Sequence, residues 1–188
     1  MEIETPTDAL SHICEGLLDE AAALADPEPV PVQDVPQAYA ELLVHNEHMT
    51  VRLGRYHGTP VRLRVLQEHI ADNIYRREIV LLVGQTDNIV EVGVVRMNLS
   101  KVPLEVRDEI LARNKPLGDI LIDHDILRRI EPRWYLRFAQ HSGLLLCFSD
   151  PPPETAYGRI GTIHCNGEAA IELLEVVTDR KGGIPSTS

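Results

Sequence analysis

The stretch "IYRREIVLLVG", Ile74–Gly84, decides how this chain is read. Ile79 to Val83 form a short apolar run closed by Gly84, the pattern of a strand covered on both faces. Side chains alternate along a strand, so Arg77 shares a face with Ile79, Leu81 and Val83, and Arg76 lies on the other, where it reads as a surface residue. A guanidinium in an apolar row must reach the rim, pair with a carboxylate or meet an anion, because an unpaired buried charge is costly.

Working outward, "TDN" (86–88) turns this strand back into "IVEVGVVRMNL" (89–99), which makes the pair a central hairpin. On the other side, "VRLGRYHGTPVRLRVLQEHI" (51–70) alternates Val51 and Leu53 with arginines, turns near "HGTP" and alternates again through Val61, Leu63 and Val65. "YGRIGTIHC–NG–EAAIELLEVV" (157–177) is a further hairpin turning at Asn166–Gly167. Helices are expected over 8–25, from Leu10, Ile13, Cys14, Leu17 and Ala21, and over "QAYAELLVHNEHMT", ending near His45 before a loop at Glu47–Thr50. Two more are expected, one after Pro103 and one starting at Pro116. Hairpins with helices set between them predict an α+β domain built on an antiparallel sheet. The divisions expected are an acidic helical arm with a Pro-rich connector (1–48), the domain itself (49–180) and a flexible tail (181–188).

The net charge of −11 is unevenly placed. Residues 1–48 carry eleven Asp or Glu and no Lys or Arg, so the remainder balances 18 acidic against 18 basic residues. A general basic surface for nucleic acid is absent from that balance, whereas a local pocket for a small anion remains compatible with it. No apolar run is long enough to span a bilayer, and the acidic start is unlike a secretory signal, so a cytoplasmic location is expected. The three cysteines are odd in number and widely spaced, as reduced structural thiols are. His45, His48 and His57 lack the cysteine or carboxylate company of a metal site, and no glycine-rich nucleotide signature is present.

The last strand repeats the Arg77 pattern with opposite sign. Ile171, Leu173, Glu175 and Val177 share a face, and on spacing alone Glu175 fits two roles. It is either a buried proton donor or acceptor, or the ion-pair partner of Arg77. A shift of one residue in register would put Glu172 there instead. Pro116 near a helix start leaves the amide of Leu117 free to face an anion, although a plain turn-to-helix junction explains the same residues.

Together, "EHMT" (47–50), "YRREIVL" (75–81), "VEVGVV" (90–95), "KPLGDIL" (115–121) and "NGEAAIELLEVV" (166–177) resemble the chorismate lyase family in order and spacing. The resemblance implies that Arg77 binds the ring carboxylate of chorismate, helped by the backbone amides of Met49 and Leu117, and that Glu175 faces the ring hydroxyl. It implies a cofactor-independent elimination of pyruvate to leave 4-hydroxybenzoate, with no metal. The other expectation carried by the same general fold is a non-catalytic module that binds or senses an aromatic acid. "HSGLLLCFSDPPPETA" (141–156) has no counterpart in the resemblance and is either a lid or an insertion.

Overall fold

A computed structural model describes residues 5–18 and 24–179. Seven strands form one sheet: β1 (Glu28–Val30), β2 (Val61–Ala71), β3 (Ile74–Val83), β4 (Ile89–Asn98), β5 (Arg128–Ala139), β6 (Thr155–Cys165) and β7 (Glu168–Val177). Their order is β1-β5-β6-β7-β4-β3-β2, and every neighbouring pair is antiparallel. Among the described residues these helices accompany them: α1 (Pro6–Cys14), α2 (Gln37–Leu43), α3 (Met49–His57), α4 (Leu104–Ala112) and α5 (Leu117–Asp123). The α+β class and the antiparallel sheet are thus as the hairpin pattern predicts.

The sheet is made of two hairpin groups, β2-β3-β4 and β5-β6-β7 with β1 at its edge, joined along β4 and β7 from Glu91↔Val177 to Met97↔Ile171. Both faces are covered. Val80, Leu82, Val92, Val94, Leu174 and Val176 point to one side, where they pack with α1 and with Leu144 and Leu145 of the 3-10 turn Gly143–Cys147. That turn is therefore an insertion packed into the core on this side, and not a lid over the opposite face. Ile79, Leu81, Leu173 and Val177 point the other way into two further clusters with α2, α3, α4 and α5.

Three local expectations are corrected. The first helix ends at Cys14, because Glu15 leaves helical geometry and Gly16 takes a positive φ of 71°, and residue 21 lies outside the described residues. Met49–His57, expected as a loop and then a strand, is helix α3. Met49 and Leu53, four apart, are buried beneath it, and Gly58 closes it in the left-handed conformation. Arg76 is 6 % exposed and ion-pairs with Glu15 at 2.7 Å, so it lies under the covering helix and not at the surface. Strand β5 carries no clean alternation to announce it, since Pro132 and a bulge interrupt it. The expected tail at 181–188 lies outside the described residues.

Candidate functional site

On the α2–α5 side of the sheet the two clusters part around a partly enclosed cavity of about 50 Å³. Leu63, Ile79, Leu81, Val95, Ile163 and Leu173 give it apolar walls. The segments His48–Thr50 and Pro116–Gly118 roof it. Gly118 makes the closure tight, since a Cβ there would stand 2.9 Å from both His48 and Thr50 Oγ1. Arg77, Glu91 and Glu175 reach in from the floor, and Met49 and Leu117 line the roof at the first positions of α3 and α5. The four residues singled out in the sequence therefore lie around one space.

Arg77 is 1 % exposed, and its Nε and Nη1 have no hydrogen-bond partner. The Tyr75 ring lies 5.9 Å from its guanidinium carbon, and the Tyr75 hydroxyl donates to Glu68 at 2.7 Å. Burial pushes the guanidinium below its ordinary value and Tyr75 opposes that shift. Arginine nonetheless keeps its charge in proteins, so the cavity faces a cation.

Glu175 does not pair with Arg77. The register places it two strands across and two residues along, about 12 Å away between Cα atoms. Its partner is Arg159 on β6, whose Nε donates to Glu175 Oε2 at 2.6 Å. Arg159 is itself 1 % exposed and donates to the carbonyls of Leu43 at 3.1 Å and His45 at 2.8 Å. One buried guanidinium thus ties the cavity floor to the chain leading into α3. Glu172, the other carboxylate considered, lies on the opposite face against Arg96 at 2.7 Å and His12 at 3.3 Å. The one-residue ambiguity between the two has a cause: β7 carries an extra residue, Ala170, between the partners of Ile163 and His164.

Two further charged residues of the floor follow from the rule that exposed Arg77. In "VEVGVV" (90–95) Glu91 shares a row with Gly93 and Val95, and in "GRIGTI" (158–163) Arg159 shares one with Gly161 and Ile163. Each is a charge in an apolar strand face. Glu91 is 3 % exposed with an unpartnered Oε2; burial first, then the nearby Glu175, push its carboxyl well above the usual carboxylate range, against a smaller effect of Arg159.

The histidines do not converge on a metal. His48 Nε2 accepts from Arg128 Nε at 2.7 Å, and burial, then Arg128 and Arg159, lower its pKa to about 4. His45 Nε2 meets the Leu42 carbonyl at 2.6 Å, while Nδ1 accepts from the Glu47 amide. Among the described residues no group of three or more His, Cys, Asp or Glu is placed to hold a metal ion, and no helix is long and apolar enough to cross a membrane. A larger open cleft of about 620 Å³ shares His48 with the cavity but contains none of the unpartnered buried groups, whereas Arg77 and Glu91 both line the smaller space.

Fold and cavity define an α+β protein with a pocket floored by Arg77, Glu91 and Glu175. No protein-family model and no curated protein matches the sequence. Among solved structures, the chain is similar to the gene product SA0254 from Staphylococcus aureus subsp. aureus N315, with a TM-score of 0.49 and 14 % identity over 71 % of this chain and 89 % of that one. It is also similar to YydK from Bacillus subtilis subsp. subtilis str. 168, described as a possible transcriptional regulator, with a TM-score of 0.45 and 9 % identity over 65 % of this chain and 59 % of that one.

Proposed function

We propose that the protein binds a small cyclic carboxylic acid in this cavity, with the acid's carboxylate on Arg77 and an oxygen substituent toward Glu175. The observation that carries the reading is the buried Arg77 guanidinium with two unpartnered nitrogens facing an apolar space. Leaving such a charge unpaired costs several kcal/mol, and a bidentate carboxylate is the ligand group that offsets this. Arg159 and Glu175 neutralise each other, and Glu68, across from Arg77, is shared with Tyr75 and Arg113, so the two unpartnered nitrogens of Arg77 favour an anion despite the acidic chain around it. At about 50 Å³ the cavity is smaller than a ring, so entry requires the roof to lift, and the apolar walls then suit the two faces of a single small ring. A 4-hydroxybenzoate-like acid meets the requirements of charge and of the apolar walls.

The test is calorimetric titration with 4-hydroxybenzoate. Saturable binding is expected in the wild type and a loss of about 100-fold in Arg77→Met, with far-ultraviolet circular dichroism unchanged. Equal affinity in the variant would remove Arg77 from the site.

The second reading is catalytic. It is favoured by the meeting of Arg77, Glu175, Met49 and Leu117, the four positions that the chorismate lyase resemblance carries over, around one cavity. In that reading the ring of chorismate loses enolpyruvate from one carbon and a proton from its hydroxyl-bearing neighbour. The cavity would fix the ring, exclude water and leave Glu175 at the oxygen-bearing end. Incubation with chorismate, with pyruvate and 4-hydroxybenzoate quantified together, separates the two readings. Equal formation of both products, lost in Arg77→Ala, supports the lyase; saturable binding without turnover supports the binding module.

A further inference from the structure

Glu91 lines the cavity yet serves none of the roles above. It is 3 % exposed, and its Oε2 is bonded to nothing. Glu175 stands opposite Gly93, two residues along β4 from Glu91, so the two carboxyl groups are diagonal neighbours on one face. Gly93 keeps the space between strands clear: a Cβ there would sit 3.1 Å from Ile79 Cδ1 and 3.3 Å from Glu91 Oε1. The nearby cation, Arg159, is already committed to Glu175 and to the Leu43 and His45 carbonyls. Arg77 lies one strand across and four residues along, about 14 Å away between Cα atoms. Glu91 therefore has no ion-pair partner, and beside a second carboxylate in an apolar enclosure its favoured form is the neutral acid. A neutral carboxyl has one O–H to give.

We propose that Glu91 is a specificity-determining residue, the hydrogen-bond donor that recognises the hydroxyl oxygen of a cyclic hydroxy acid whose carboxylate rests on Arg77. The inference rests on the cavity reading and narrows its ligand class. A hydroxyl both gives and takes a hydrogen bond. Glu175, paired with Arg159, takes the ligand's proton, and Glu91 donates to its lone pair. An ether at the same place satisfies Glu91 alone, and a ring without oxygen satisfies neither, leaving two buried polar groups unmatched.

The test titrates the wild type, Glu91→Gln and Glu91→Leu with 4-hydroxybenzoate and with benzoate at neutral pH. The wild type is expected to prefer the hydroxy acid by about 10- to 100-fold. Glutamine still donates through its amide and keeps that preference within about threefold, whereas leucine lowers it about tenfold, leaving only the share due to Glu175. Infrared difference spectra of the wild type, with and without 4-hydroxybenzoate, should show one protonated carboxyl band that shifts on binding and is missing from Glu91→Gln. This readout does not depend on the leucine variant folding. An undiminished preference in Glu91→Leu, or the absence of that band, overturns the proposal. If the wild type binds benzoate but shows no preference, Glu91 is refuted and the Arg77 reading stands. Failure of both acids to bind the wild type overturns the cavity reading and this inference with it.

Discussion

Arg77 works against the fold that holds it. A buried guanidinium with two unpartnered nitrogens destabilises the empty protein, and an apolar side chain of similar length removes that penalty. Arg77→Met is accordingly expected to raise the unfolding free energy of the ligand-free protein by about 1–3 kcal/mol in urea titrations while it weakens acid binding about 100-fold. A variant less stable than the wild type would argue for a structural role. Glu91 behaves alike but shows its effect through pH. Its folded pKa is raised, so folding is penalised once the unfolded side chain ionises, above about pH 4.5. Glu91→Gln should therefore be more stable than the wild type at neutral pH, and the gain should vanish at acid pH. His48 has the opposite sign. It is held neutral with a pKa of about 4 against an ordinary 6.5, so its contribution is complete above pH 6.5 and lost as pH falls toward 4. The loss amounts to about 2–3 kcal/mol, and chemical unfolding at both ends of that window should show a flatter pH dependence in His48→Gln.

The helical roof is set by a contact between elements. Gly118 lets α5 approach His48 and Thr50 without a side chain between them. Gly118→Ala forces a Cβ into a gap of 2.9 Å, so the start of α5 must lift from α3. Stopped-flow displacement of 4-hydroxybenzoate should then show faster release, with the sheet's stability changed by only about 1–3 kcal/mol. The strands of this architecture were largely legible: the β3–β4 hairpin from its apolar run and turn, and the β6–β7 hairpin from Asn166–Gly167, where both residues have positive φ. The roof was not. Val51 and Leu53 alternate with arginines and imitate a strand over one turn, and only the burial of Met49 with Leu53 reveals the helical period. Arg77 and Glu175 stood out because a charge in an apolar row has few explanations. Glu91 and Arg159 obey the same rule, but their pairing depends on which strands become neighbours. The joining of β4 to β7 brings residues about eighty positions apart into register, and local pattern does not encode it.

Taken as a whole, the molecule divides its buried charges between the two hairpin groups. Arg77 and Glu91 belong to β3 and β4, Glu175 and Arg159 to β7 and β6, and the boundary between them is the β4–β7 ladder. A ligand that touches both sides stabilises that ladder more than any other. Amide hydrogen exchange should accordingly slow most over Glu91–Met97 and Ile171–Val177 when 4-hydroxybenzoate is added; uniform slowing across the sheet would place the ligand elsewhere. On the proposed reading, the ladder also makes the acid a mortar between two halves of one chain. Cut in the short link between α4 and α5, the protein would yield two pieces that each hold part of the acid's contacts, so that their reunion in solution would become a signal for the acid itself.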